Sequence, residues 1–413
     1  MTFDLELPAK LRQVRDMSRM FAETYLRPHA LESEQLKGPH PKFIEACQRF
    51  GLGSGSGGAM ATMPGEAQEP HAEKKERKGP SYKYRSMLVA IEELAWGDPA
   101  AVLNMPGPGL GGPPVQFTGT PEQRERFLAP FTPGSFKFGA YALTEPGAGS
   151  DAKNLRTTCR KDGDHWVLNG DKFFITNGKK AEWTVVFATV DPTLGRAGHR
   201  AFVVERDTPG FSVPKLEEKM GLLASETAWQ RFEDCRVPAE NLLGGEEHYA
   251  DKAAKGGFKT AMKTFDATRP MVAAMAVGIA RAAWELARDW VKEHYALSQH
   301  TARYQRLRDR LDWMEQEIET ARYLCWKAAW LLDLERENAK ESSMSKAFSG
   351  KMVDRVTSAA IEVLGPEGVR RERLVEKLYR DQKVWDIFEG TGQIQKLVIS
   401  RRIFKDAPRG AGG

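Results

Sequence analysis

The sequence has few cysteines and no long apolar run, and both absences exclude whole classes of protein. The four cysteines among 413 residues form no C-x-x-C pair, so neither a disulfide framework nor the usual zinc-ligand spacing is present. No apolar stretch approaches the roughly 18 to 20 residues of a membrane-spanning helix, and the mean hydropathy is −0.50. We therefore expect a protein that is not integral to a membrane and has no zinc-cysteine site.

An excess of one charge sign is also missing. Lys and Arg total 61 against 56 for Asp and Glu, and the two signs are interspersed, so no basic face for nucleic acid is predicted. The first residues mix acids and bases without an apolar signal core or an Arg-rich presequence, which favours the cytoplasm. The eight histidines form no H-x-x-x-H or H-E-x-x-H pair, and we predict no metal site.

Apolar residues recur at helical spacing near both ends of the chain and in short β-type runs between them. This pattern predicts an N-terminal helical domain over residues 1–135, a central antiparallel β domain over 136–245, and a C-terminal helical bundle over 246–405. The Gly/Ser-rich and then charged stretch 51–80 lacks apolar anchors, which predicts a flexible loop. A flexible tail is expected over residues 406–413.

Turn residues and alternating apolar residues place the predicted strands. The dipeptide Asn169-Gly170 separates two β-type runs, at 165–168 and 172–176, and such a dipeptide is a strong signal for a hairpin turn. Further strands are expected at residues 183–190, 199–205 and 228–233.

Three segments could carry chemistry. The run Tyr141–Asp151 ends a predicted strand in a glycine-spaced turn that could line a planar cofactor or could be an ordinary Pro-Gly turn. The loop Phe174–Gly178 adds an aromatic ring and a hydroxyl. In the run Arg380–Gln393, Glu389 lies between an aromatic residue and a glycine just before a helix, where it could be a catalytic carboxylate or only a charge that the helix dipole stabilises.

These segments, in this order, resemble the acyl-CoA dehydrogenase family. YALTEPGAGSD is similar to that family's first signature, DGDHWVLNGDKFFITNG to the block that follows it, and YRDQKVWDIFEGTGQIQ to its second signature. Stretches at residues 219–241 and 265–270 agree, so the similarity covers nearly everything from about Leu88 to Arg402. The resemblance implies a mostly helical fold with a central β domain and a C-terminal four-helix bundle, and FAD between the last two.

The resemblance also implies the reaction and its residues. Glu389 would remove the α-proton of an acyl-CoA thioester while the β-hydride passes to flavin N5, giving a trans-2-enoyl-CoA, as in the medium- and short-chain enzymes. Electrons would pass to an electron-transfer flavoprotein, and the chain would form a homodimer or homotetramer. The implied FAD contacts are Tyr141, Leu143, Thr144, Gly149, Ser150, Phe174, Thr176, His294, Glu362, Thr391 and Gln393. The implied acyl-CoA contacts are Ser150, Asp266, Arg269, Phe388 and Gly390.

The chain departs from the family pattern at positions that would face FAD. His294 and Leu297 stand where relatives use an arginine and a phenylalanine, and Glu362 with Pro366 alters another FAD contact. These changes predict weaker FAD binding and keep two alternatives open, a non-catalytic or semi-catalytic partner subunit and a flavin monooxygenase-like relative. Thr268 stands where some relatives place the base, so Glu389 is the one predicted base.

Overall fold

The computed structural model describes residues 6–52, 81–250 and 256–404, with the side chains of residues 256–264, 266 and 267 left out. The chain divides into two compact units. We call residues 18–76 and 97–265 the sheet unit, and residues 1–17, 77–96 and 266–413 the bundle unit. Nearly all of the predicted loop 51–80 and the whole tail 406–413 lie outside the described residues, and the three predicted domain boundaries stay a prediction.

Seven α-helices precede the sheet within residues 6–52 and 81–138, the described part of this region. The spacing of Leu11, Val14, Met17, Phe21 and Tyr25 predicts one apolar stripe on the first helix. Leu11 and Phe21 are buried, and the other three are half-buried. A capping box, in which Thr120 and Gln123 bond reciprocally, begins the last of the seven,. The helices are α1 Ala9–Phe21, α2 Ala30–Leu36, α3 Pro41–Arg49, α4 Lys83–Gly97, α5 Pro99–Leu103, α6 Gly112–Thr118 and α7 Pro121–Leu128.

The sheet unit contains a seven-stranded sheet, which confirms the predicted central β region. The strands are β1 Gly139–Ala142, β2 Thr158–Asp162, β3 His165–Thr176, β4 Trp183–Thr189, β5 His199–Glu205, β6 Phe211–Leu216 and β7 Thr227–Pro238. The order is β1-β4-β2-β3-β7-β6, with β5 on β4. Most pairings are antiparallel, but β1 runs parallel to β4, and β2 meets β4 in parallel at Thr158 and Thr189.

The central strand β4 is buried along its whole length because both of its faces are covered. Val185 and Phe187 point to a cluster that includes Phe127 and Phe131. Alternate residues of β4 join a second cluster that contains Trp166 and Phe202. This two-sided burial explains why the strand reads as a continuous apolar run instead of an alternating one.

The predicted hairpin turn at Asn169-Gly170 is wrong. Both residues lie inside the continuous strand β3, and the turn between β2 and β3 is at Gly163, which has φ +61. Gly170 has φ +145 and lies at a register shift between β3 and β7, and a Cβ there would approach Thr157 to 2.7 Å. The dipeptide therefore marks a β-bulge with a close backbone approach, which favours glycine for the same reason as a turn does.

The bundle unit is dominated by long C-terminal helices, as the apolar periodicity predicts. The long helices are α8 Gly256–His294, which belongs to this unit from residue 266 onward, α9 Ala302–Asp333 and α10 Ala339–Leu364. Two shorter helices follow, α11 Leu374–Asp381 and α12 Gly392–Ile403. By length and composition alone, Thr268–His294 in α8 could span a membrane, but 78% of its most apolar window is buried inside the protein. Such burial is typical of the core helix of a bundle.

A buried charge network joins α4 to α8 and α9 within the bundle unit. Arg322 donates to Glu92 at 2.9 Å, and Arg281 donates to Glu93 at 2.7 Å. Burial raises the pKa of Glu92, but the guanidinium groups of Arg322 and Arg281 outweigh it and hold that pKa below its ordinary value. The network ties α4 to α8 and α9 through paired buried charges.

Candidate active site

In the sheet unit, the chain leaves β1 and forms an open turn at residues 144–150. Glu145 and Ala148 exchange two backbone hydrogen bonds across it. Gly147 and Gly149 are exposed, and a Cβ built on either would have no heavy atom within 4 Å. At these two glycines the turn is therefore clear of atoms of the described residues, as a planar ligand requires.

A buried ion pair holds this turn against β3. Lys172 donates its Nζ to Glu145 at 2.7 Å and to the carbonyl of Leu143 at 3.1 Å. Glu145 also accepts from the backbone amides of Arg156 and Thr157. Burial raises the pKa of Glu145, but Lys172 and these hydrogen bonds outweigh it and lower that pKa, while burial lowers the pKa of Lys172 to about 8. Neither residue is among the site residues predicted from the sequence, although a lysine inside an apolar strand pattern indicates a buried charge that needs a partner.

The second predicted loop presents Phe174 outward. The ring is 63% exposed, and its backbone φ is +59, which is uncommon for a non-glycine residue,. The pairing of β3 with β7 shifts between Lys172 and Ile175, so this segment is a bulge that returns Ile175 to the core. Thr176, half-buried, follows at the end of the strand.

The other predicted FAD residues of the sheet unit differ in accessibility. Ser150 is exposed, and Thr144 is half-buried with its carbonyl bonded to the amide of Phe173 at 2.9 Å. Tyr141 packs against Phe187, with ring centroids 5.1 Å apart. Leu143 is only 8% exposed and belongs to the core, so its backbone alone is available to a cofactor.

In the bundle unit, Glu389 lies on a tight turn before α12. Glu389 has φ +50 and Gly390 has φ +91, so two left-handed residues follow one another. Gln395 donates to both of their carbonyls, at 3.3 and 3.0 Å, and a Cβ on Gly390 would meet its Nε2 at 2.5 Å. A non-glycine residue held at positive φ by its surroundings is a feature that clusters at functional sites.

The carboxylate of Glu389 accepts a hydrogen bond from Thr268 on α8, with 2.8 Å between Oγ1 and Oε2. Burial raises the pKa of Glu389, and the Thr268 hydrogen bond and the positive charges of Lys346 and Arg269 lower it only in part. The net pKa is above the ordinary value. A partly buried carboxylate with a raised pKa is suited to accept a proton near neutral pH.

Apolar residues flank this turn unevenly. Trp385 is 1% exposed, donates to the carbonyl of Val272, and packs edge-on against Phe388 at 5.1 Å. Ile387, in contrast, is 57% exposed. The buried apolar contact in the segment that leads to Glu389 is therefore the one between Trp385 and Phe388.

Of the remaining predicted residues of the bundle unit, three have described side chains and one does not. Arg269 is 5% exposed beside Thr268, whereas the side chain of Asp266 is outside the description. Thr391 caps α12 by accepting from the amide of Ile394 at 3.3 Å, and Gln393 is exposed in its first turn.

The residues that depart from the family pattern are exposed. His294 stacks on Trp290, with ring centroids 3.6 Å apart, and Leu297 is 94% exposed. Glu362 forms an ion pair with Arg310 at 2.8 Å. That pair neutralises a carboxylate that would otherwise repel a phosphate.

Lys346 on α10 is the most conspicuous residue that sequence analysis did not single out. It is 1% exposed, and its Nζ has no hydrogen-bond partner among the side chains that the structure describes. Its helical position among buried residues could have revealed it, because Ser342, Ser349 and Val353 share its buried stripe.

Two family models match the chain. The acyl-CoA dehydrogenase middle domain matches residues 140–235, and the acyl-CoA dehydrogenase C-terminal domain matches residues 255–404. The first model contains the open turn and the Phe174 bulge, and the second contains Glu389 and Thr268.

Relatives match over nearly the full length. The short-chain-specific acyl-CoA dehydrogenase of Clostridium acetobutylicum is 35% identical over 97% of this chain and 100% of its own. The butyryl-CoA dehydrogenase structure from Megasphaera elsdenii is 31% identical with a TM-score of 0.81, covering 97% of this chain and 100% of that chain. A chain in the solved structure of the electron transferring flavoprotein of Acidaminococcus fermentans is 33% identical, with a TM-score of 0.82, and the match covers 98% of this chain and 100% of that one.

Proposed function

The chain belongs to the acyl-CoA dehydrogenase family of oxidoreductases, and on that premise we propose that Glu389 is the base that starts the dehydrogenation of an acyl-CoA thioester. The product would be a trans-2-enoyl-CoA. The observation that carries this proposal is the Glu389 carboxylate itself, with its raised pKa and its Thr268 hydrogen bond.

The proposed chemistry requires a base matched to a weak acid. The α-proton of a thioester is weakly acidic, and its removal becomes feasible when hydrogen bonds stabilise the enolate that develops. Glu389 accepts that proton more readily because burial raises its pKa above the ordinary value,. Thr268 holds one carboxylate oxygen, which leaves the other to face the substrate. Thr268 is neutral and does not replace Glu389 as a base.

FAD is the cofactor that the family implies, and the residues of the sheet unit fit it. The open face of the Gly147–Gly149 turn and the outward ring of Phe174 suit a planar ring system. We propose that Thr144 and Thr176 hydrogen-bond that ring, and that Thr391 and Gln393 are further FAD contacts. When bound, FAD supplies the two-electron acceptor for the hydride that leaves the β-carbon.

We propose that the substrate carries a short acyl group, because of the relatives that this protein matches. Those relatives are named for short-chain acyl-CoA and butyryl-CoA. Ser150, Arg269 and Gly390 are proposed as acyl-CoA contacts. The similarity to a chain in an electron transferring flavoprotein structure supports such a flavoprotein as the electron acceptor. We further propose that the chain forms a homodimer or homotetramer and acts in the cytoplasm.

Anaerobic titration of the FAD-loaded protein with acyl-CoA esters tests this function. We expect butyryl-CoA to bleach the flavin absorbance faster than octanoyl-CoA does. A protein that binds no FAD, or whose flavin no ester bleaches, would contradict the proposal and favour the partner-subunit alternative. Bleaching by a reduced nicotinamide cofactor instead of an ester would favour the monooxygenase-like alternative.

A further inference from the structure

Lys346 on α10 is buried, and its ammonium interacts electrostatically with the Glu389 carboxylate. Neither the residues predicted from the sequence nor the proposed function gives Lys346 a role. A buried ammonium with no acceptor costs stability unless charge nearby compensates it. Buried polar groups without partners are rare in native proteins, so each one needs an explanation. Here the compensating charges are those of the turn that carries Glu389.

Helix α10 packs at Gly350, one helical turn after Lys346, against Trp385 and Asp386, which precede the turn that carries Glu389. A Cβ on Gly350 would lie 3.1 Å from the carbonyl of Trp385 and 3.2 Å from Oδ1 of Asp386. Oδ1 of Asp386 is itself buried and without a partner among the described atoms, and a Cβ on Gly392 would meet it at 2.4 Å. Gly350 therefore lets α10, the helix that carries Lys346, pack closely against the segment that leads to Glu389.

The charged groups around Lys346 come from three elements. Asp386 and Glu389 on the turn attract its ammonium, whereas Arg269 on α8 and Lys351 on α10 repel it. Lys351 already pairs with Oδ2 of Asp386 at 2.8 Å and is exposed to solvent. The Glu389 carboxylate, in turn, is faced by Lys346 and Arg269, besides the Thr268 hydroxyl. Lys346 is therefore the buried positive charge that α10 contributes to the candidate base.

We propose that Lys346 is a positioning residue whose buried positive charge keeps Glu389 ionised, and so able to accept a proton, at neutral pH. The inference rests on the proposed role of Glu389 as the base. Burial alone would favour the protonated, inactive carboxyl. Lys346 counters that effect without touching the substrate, and burial lowers its own pKa to about 8, so it remains mostly charged at neutral pH.

The test compares the pH dependence of flavin reduction in Lys346→Met with that in the wild type. Removing the positive charge destabilises the Glu389 anion, so the acidic limb of the rate profile moves to higher pH by about one unit. The rate below that limb falls about tenfold, and it recovers as the pH rises. Lys346→Gln also removes the charge and should show the same shift, so it replaces Lys346→Met if the methionine variant does not fold. Lys346→Arg keeps the charge, and its acidic limb should stay near the wild-type position.

Lys383→Met is the matched control. It makes the same chemical change six residues before Glu389, but Lys383 is 54% exposed and pairs with Asp354. The acidic limb of the Lys383→Met rate profile is expected to stay at its wild-type pH, because solvent screens an exposed charge. An equal shift in Lys383→Met would overturn the proposal, and so would a Lys346→Met rate that falls by one factor at every pH.

An infrared pH titration separates this inference from the proposed function. The protonated-carboxyl band that disappears in Glu389→Gln identifies Glu389 in protein without substrate. We expect its midpoint at higher pH in Lys346→Met than in the wild type, and an unchanged midpoint would refute the role of Lys346 even if Glu389 is the base. Full flavin reduction by Glu389→Gln would instead refute the proposed function and leave the infrared result standing.

Discussion

Thr268 and Glu389, 121 residues apart in the sequence, share a hydrogen bond of 2.8 Å between a hydroxyl on α8 and a carboxylate on the turn before α12. The hydroxyl donates to the ionised carboxylate and therefore lowers the pKa of Glu389, against the larger effect of burial, which raises it. The two side chains set how readily the candidate base accepts a proton.

Removal of the Thr268 hydroxyl should shift the pH profile of flavin reduction. Thr268→Val keeps the shape of the side chain but takes away the donor, so the pKa of Glu389 rises and the acidic limb moves up by about one unit. Thr268→Ser, which keeps a hydroxyl, is the control and should stay close to the wild type. A profile in Thr268→Val that matches the wild type would show that the hydrogen bond does not influence the reacting carboxylate.

A carboxylate transferred to α8 should partly replace the base. Because Oγ1 of Thr268 lies at hydrogen-bond distance from Glu389, a glutamate at position 268 can reach the same space. We expect the double variant Thr268→Glu, Glu389→Gln to reduce flavin faster than Glu389→Gln alone, measured by stopped-flow absorbance. Thr268→Gln in the same background is the matched control, and equal rates in the two double variants would argue against direct proton transfer.

The helices and the chemistry-bearing segments could be predicted from the sequence, but the contacts among them could not. Local apolar spacing gives α9 and α10, since each buries one stripe of its own residues. The Asn169-Gly170 dipeptide was wrongly predicted to be a hairpin turn because a β-bulge and a hairpin turn both require the backbone freedom of glycine. The pairs Thr268–Glu389 and Lys172–Glu145 depend on tertiary packing, which no local pattern contains.

The buried pair under the first-signature turn should contribute strongly to stability. Lys172→Met leaves Glu145 buried without its cation, which costs about 3 to 5 kcal/mol of unfolding free energy in urea denaturation. The double variant Lys172→Met, Glu145→Gln should regain much of this loss, because no lone charge remains. A single variant as stable as the wild type would contradict the pairing.

The Lys172–Glu145 pair also predicts how the unfolding free energy changes as the pH falls. The folded-state pKa of Glu145 is below its ordinary value of 4.5, so its stabilisation is present above that value and is lost as the pH falls through the folded-state pKa. Protonation of Glu145 leaves the Lys172 ammonium buried without its anion, so the wild type should lose stability relative to the double variant in acid. A stability difference that stays constant down to strong acid would show that the carboxylate is not the titrating group.

An arginine at position 294 should strengthen FAD binding if this surface faces the FAD of a neighbouring subunit. A charged hydrogen bond contributes about 1.5 to 3 kcal/mol, which corresponds to roughly tenfold to a hundredfold in affinity. We expect His294→Arg to purify with more FAD per chain than the wild type, measured by flavin absorbance. His300→Arg, the same change on the following exposed loop, should have no effect. Equal occupancy in wild type and His294→Arg would place this surface away from FAD.

The most direct test of the account is the rate of flavin reduction by butyryl-CoA in Glu389→Gln. The amide keeps the size and hydrogen-bonding capacity of the carboxyl but does not accept the proton, so the fold and the bound FAD should persist. Loss of a general base lowers the rate by about 10² to 10⁴, and we expect the upper part of that range because Thr268 does not substitute for it. A near-normal rate in Glu389→Gln would contradict the assignment of Glu389 as the base.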